Sequence, residues 1–121
     1  MAPDKNEPAP VVEEVSEPQT RDDFIRRAWT LHVRGEYEQA EADFRKAIEI
    51  DPDSVEGYYG LGMSLKIQRR VEDSIKAFEA ALEKIKSGAT TEDPARTAML
   101  RHMSGVQIML LKKGDTQEPS P

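Results

Sequence analysis

Residues 35–52 read GEYEQAEADFRKAIEIDP: a glycine, then Tyr37, Ala40, Phe44, Ala47 and Ile48 at steps of three and four or side by side, then a proline. That spacing gathers three large side chains and two alanines on a single helical face. Pro52 ends the helix, because the residue before a proline is pushed out of helical geometry. Gly35 breaks whatever precedes it, since glycine enters the left-handed conformation at little cost. Farther along, Ser74, Phe78, Ala81 and Leu82 stand 34 positions after Ala40, Phe44, Ala47 and Ile48. The stretch is therefore one member of a repeat.

The repeat extends upstream as well. Phe24, Ala28 and Leu31 share a helical face, and 34 residues later the same places hold Tyr58, Gly62 and Leu65. Size and polarity match at each place. Thr20 with Asp23 resembles a capping box, with aspartate in place of the usual glutamate, and opens the first helix. Asp53 with Glu56 reads as a second such pair at the head of VEGYYGLGMSLKIQ. A fourth helix is expected from about Val71 to Ile85, followed by a loop, SGATTED. Asp93 is placed to cap a fifth helix and Pro94 to occupy its first turn. On that helix, expected over about 94–112, the spacing of Met99, Met103, Val106 and Leu110 predicts a core stripe.

A 34-residue period of paired helices resembles the tetratricopeptide repeat. The first unit carries Phe24, Ala28, Leu31, Gly35, Tyr37, Ala40, Phe44, Ala47 and Pro52; the second carries Tyr58, Leu61, Gly62, Leu65, Ser74, Phe78 and Ala81. Arg27, Arg69 and Lys86 depart from the family pattern, at a leucine, the turn glycine and the closing proline. The resemblance implies an all-α fold of antiparallel helical hairpins in a right-handed superhelix. Its expected organisation is a repeat over 21–54, a repeat over 55–88, and a capping or half-repeat helix over 94–113 with Gly114 at its turn. Small residues matter to this packing as much as large ones: Ala28 and Gly62 let the helices of a hairpin approach closely.

Composition narrows the function. The chain has 121 residues, a formal net charge of −6 and no cysteine, which excludes disulfides and thiolate chemistry. Residues 1–20 and 114–121 carry all of that charge between them, and the former is rich in proline, so both read as disordered acidic or polar tails. Residues 21–113 are neutral, and their basic pairs are scattered, so nucleic acid is not an expected partner. Nothing in the sequence has the form of a signal peptide or membrane span, and a cytoplasmic protein is the expectation.

Chemistry finds no foothold. The glycines of GYYGLG lie inside the helical repeat pattern and do not form a phosphate loop. The sequence MLRHM around His102 contains soft-metal ligand types, yet methionines at helical spacing serve as core filler. No enzyme activity, cofactor or metal is expected. A protein-binding surface is. Beside the packed faces, Ile25, Trp29, His32 and Val33 on the first helix and Tyr59, Met63, Lys66 and Ile67 on the third should line a concave groove for a partner peptide or helix, with Ser104, Ile108 and Leu111 continuing it. The resemblance also carries a negative implication: Ile25, Trp29 and Gly60 stand where chaperone-binding members place the lysines and asparagines of a carboxylate clamp. An alternative expectation is a homodimer through Ile108 and Met109 on the last helix, since two repeats and a half bury a small core.

Overall fold

The computed structural model describes residues 17–90 and 92–116, and all regular structure among them is helical. Five helices follow in order: α1 Arg21–Val33, α2 Tyr37–Ile50, α3 Val55–Ile67, α4 Val71–Ser87 and α5 Pro94–Thr116. Short connections make successive helices antiparallel neighbours. The hairpins α1/α2 and α3/α4 pack most extensively, α2 meets α3, α4 meets α5, and lighter contacts join α1 to α3 and α3 to α5. Hence α1, α3 and α5 run side by side in one layer, backed by α2 and α4. Among the described residues no helix is long and apolar enough to cross a membrane.

Local chemistry explains the helix ends. The Thr20 hydroxyl accepts from the Asp23 amide while the Asp23 carboxylate accepts from the Thr20 amide, so the expected capping box forms. At α3 the sequence reading needs correction. Ser54 is the cap, its hydroxyl accepting from the Gly57 amide at 3.0 Å, whereas Asp53 pairs with Lys84 at 3.1 Å. The turns after α1 and α3 both need a left-handed residue: Gly35 has φ 85° and Arg69, at the matching place, φ 68°. Asp93 accepts from the Arg96 amide at the head of α5, as expected.

Two apolar clusters hold the layers together. Ala28, Ala40, Phe44, Ala47, Leu61 and Leu65 are central to the first; Val55, Tyr59, Phe78, Ala81 and Leu100 form the second. Glycines of α3 make the close approach possible. A Cβ on Gly60 would sit 2.1 Å from the Phe44 ring, and one on Gly62 would sit 2.8 Å from the Phe78 ring. Ser74 replaces the alanine of the first unit and donates its hydroxyl to the Gly62 carbonyl at 2.8 Å, satisfying a group that has no access to water.

The fifth helix departs from expectation in register and length. Its buried face is Thr97, Leu100 and Ser104, with Met103, Ile108 and Leu111 packed partly against the second cluster. Met99 and Leu110, expected in the core, are 49% and 51% exposed. On α3 the residues that meet α2 include Gly57 and Gly60, followed a turn later by buried Ser64; Thr97, Leu100 and Ser104 each stand 40 positions after these three. Extension of α4 to Ser87, the left-handed Gly88 and the following loop shift the spacing from 34 to 40. The helix also continues through Gly114 to Thr116, where a turn was expected. Expectations for residues 1–16 and 117–121 lie outside the described residues.

Candidate functional site

Trp29 stands at the junction of α1, α2 and α3. Its ring meets Phe44 edge-on with centroids 4.9 Å apart, lies 6.2 Å from Tyr59, and packs against both apolar clusters. Its Nε1–H donates to Glu56 Oε2 at 3.0 Å. The same carboxylate accepts from Arg96 Nε at 3.1 Å and pairs with Nη2 at 2.7 Å. That hydrogen bond and charge raise the Arg96 pKa further. Glu56 therefore joins one residue from each of the three inner helices, a role that replaces the capping expected of it.

The other expected groove residues separate into two groups. Ile25 and Tyr59 are buried, 6% and 5% exposed, and belong to the core rather than to a surface. Burial pushes the Tyr59 phenol up. His32 is half-buried, with its ring edge-on to Trp29 at 5.5 Å and to Tyr37 at 5.1 Å. Its Nδ1 has no hydrogen-bond partner among the described residues, and burial pulls its pKa down. Ser104 is fully buried, and Ile108 and Leu111 pack inward. Of these three only Ser104 is withdrawn from the surface; Ile108 and Leu111 are partly buried, as Met63 is.

Val33 and Ile67 remain outside, 83% and 43% exposed. Met63 packs partly on the second cluster, and Lys66 Nζ donates to Gln107 Oε1 at 2.7 Å. Since Arg96 and Gln107 both bond to α3, the side of α5 next to that helix is fixed. Met99, Met103, Val106 and Leu110 recur beside those two residues at three- and four-residue spacing. The result is an apolar strip across parallel helices: Trp29 and Val33 on α1, Met63 and Ile67 on α3, Met99, Met103, Val106 and Leu110 on α5. Glu56 and Lys66, the charged groups beside it, are already bonded to neighbouring helices.

Sequence reasoning missed the α5 part of this strip, although Thr97 and Ser104, small polar residues seven apart like Gly57 and Ser64, carried the signal. It also missed Glu92. The Glu92 carboxylate accepts from the Val55 and Glu56 amides at 3.3 and 3.4 Å, closing the first turn of α3 from a loop 36 residues away. A carboxylate is favourable there because the helix dipole presents its positive end. A cleft of about 350 Å³ opens at the end of α1, lined by Trp29, Thr30, Val33 and Arg34. Among the described residues no group of three or more histidine, aspartate or glutamate side chains is placed to hold a metal ion.

Comparison with known families agrees with the helical arrangement. The TPR repeat family matches residues 30–68, and a further tetratricopeptide repeat pattern matches residues 55–83. The chain contains tetratricopeptide repeats. The matched residues run from within α1 into α4, so α5 of this tetratricopeptide-repeat chain lies beyond them. No curated protein matches the chain. Tetratricopeptide repeats generally mediate protein–protein interaction.

Proposed function

We propose that this chain is a non-catalytic interaction module that binds an apolar peptide or helix of a partner protein along the strip from Val33 to Leu110. The reading is carried by the exposure of Val33, Ile67, Met99 and Leu110, four large apolar side chains on the same side of successive inner helices. Large exposed apolar patches mark interaction sites in soluble proteins. Trp29 contributes the half-buried floor at one end and does not project as a free anchor, because its ring is packed and its indole N–H is bonded.

Ile67→Asp and Met99→Asp test this without touching the core. Each removes a side chain whose burial by a partner is worth about 1.5–3 kcal/mol, so affinity for a partner recovered by pull-down should fall roughly 10- to 100-fold. Unchanged affinity, with thermal stability intact, would refute the groove. Trp29→Ala is a poor probe because it opens a void between the two clusters.

Self-association is the second reading, supported by Met109, which is 60% exposed on α5, and by a core of two repeats where three are usual. Ile108, next to it, is partly buried against the second cluster and offers the smaller share of such a contact. Concentration-dependent sedimentation is expected on this reading, and a monomer at all concentrations rejects it.

A further inference from the structure

We propose that Met99 is an oxidation site through which a peroxide closes the apolar strip to its partner. This rests on the strip as the binding surface and adds what regulates it.

Sulfur chemistry in this chain has one outlet. The sequence holds five methionines and no cysteine, so a peroxide that reacts with its sulfur reacts with thioethers alone. Met63, Met99 and Met103 lie in the strip. Methionine suits an interaction surface because it is flexible and polarizable. A surface built from it is vulnerable for a related reason: conversion to the sulfoxide turns an apolar side chain polar.

Place in the repeat decides which of the three is open to solvent. Ile25, Tyr59 and Met99 hold equivalent places on α1, α3 and α5, 34 and then 40 residues apart. Ile25 shares a cluster with Leu61 of α3, and Tyr59 shares one with Leu100 of α5, so both are buried. No helix among the described residues follows α5 to cover Met99 in its turn, and it stays 49% exposed. Met63 and Met103 are partly buried against the second cluster. Met109 is as open as Met99, but it is turned about 100° from Leu110 around the helix, off the strip and away from α3. Exposure therefore makes Met99 and Met109 the first to react, and only Met99 reacts within the strip.

The step needs no protein group beyond the thioether. A lone pair of Met99 Sδ attacks a peroxide oxygen, and the S–O bond forms as the O–O bond breaks. The departing hydroxide takes the proton of the transferred oxygen and leaves as water; sulfur loses two electrons and the peroxide gains two. Reductases of the methionine sulfoxide class reverse the change. The new oxygen is a hydrogen-bond acceptor that an apolar guest leaves unsatisfied, which makes its burial costly. Met99 belongs to neither apolar cluster, so the fold is left intact.

The test uses the full chain and, as guest, a labelled synthetic peptide with leucines on one helical face and glutamines on the other, its affinity read by fluorescence anisotropy. Dilute hydrogen peroxide should convert Met99 and Met109 ahead of Met63 and Met103 in peptide mass spectra. It should weaken peptide binding roughly tenfold or more with the thermal midpoint unchanged. Met99→Leu should keep its affinity through the same treatment, Met109→Leu should lose it as the parent does, and sulfoxide reductases should restore the parent. Full affinity after conversion of Met99, equal loss in Met99→Leu, conversion of Met63 before Met99, or loss that accompanies unfolding overturns the switch and leaves the strip standing. If the untreated chain binds the peptide no better than Ile67→Asp does, the strip itself fails and the switch falls with it.

Discussion

Of the glycines inside helices, Gly60, Gly62 and Gly105 have different surroundings, and replacing each by alanine separates packing from backbone propensity. Alanine gains about 1 kcal/mol over glycine in a helix interior, and that gain is common to all three. At Gly105 a Cβ meets nothing within 4 Å, so Gly105→Ala should be stabilising by about 0.5–1 kcal/mol. At Gly60 the Cβ would fall 2.1, 2.3 and 2.5 Å from three carbons of the Phe44 ring. Phe44 is fully buried and backed by Trp29, leaving it no room to retreat. Overpacking of this kind costs up to about 3 kcal/mol, and subtracting the propensity gain leaves a net loss of about 2 kcal/mol. Gly62→Ala, 2.8 Å from Phe78, should fall between. The two extremes thus differ by about 3 kcal/mol, a separation in Tm of roughly 12–24 °C for a domain of this size. Thermal unfolding followed by far-ultraviolet circular dichroism and by the fluorescence of Trp29, the single tryptophan, reads this out. If Gly60→Ala proves as stable as Gly105→Ala, the close approach of α3 to α2 is not what fixes glycine there.

The remaining predictions concern single sites. Burial holds the His32 pKa below its ordinary value, so as pH falls the unfolded chain binds the proton first. Its contribution to stability is complete above about pH 6.5, the unfolded range of histidine, and is lost as pH drops from there through the folded value. Denaturant unfolding of His32→Asn should show a flatter stability curve between about pH 7 and 5, and an unchanged curve would refute the assignment. Arg69→Gly should stabilise the chain by about 0.5–1 kcal/mol, because a non-glycine residue at positive φ is strained; a loss of stability would show that the arginine side chain outweighs that strain.

Much of the fold was legible because the first four helices repeat both large and small residues. Ala28 and Gly62, or Phe44 and Phe78, are recognisable as equivalents without coordinates. The fifth helix was less so, for a physical reason. Leu100, Ser104, Ile108 and Leu111 form one stripe at helical spacing, and Met99, Met103, Val106 and Leu110 form another beside it. Periodicity alone cannot say which stripe meets α4; the longer α4 and its loop decide. Trp29 likewise looked superfluous to the core from the family pattern, yet its position between Phe44 and Tyr59 follows only from how α3 leans on α2. Glu92 was beyond reach of the sequence, since its partners at Val55 and Glu56 are set by the path of the loop.

The carboxylate of Glu56 has a mechanical consequence. It gathers Trp29 of α1 and Arg96 of α5 onto α3 near the start of that helix, like a rivet through three ribs. The exposed ends at Val33, Ile67 and Leu110 lie toward the other extremity of the same ribs. A guest that spreads them must do so by fanning, with the least movement at the rivet and the greatest at the rim. Helix α1 has the shortest span between the Trp29 tie and its free end, so the amplitude of opening should be largest on α5, where more than three further turns run on beyond Arg96.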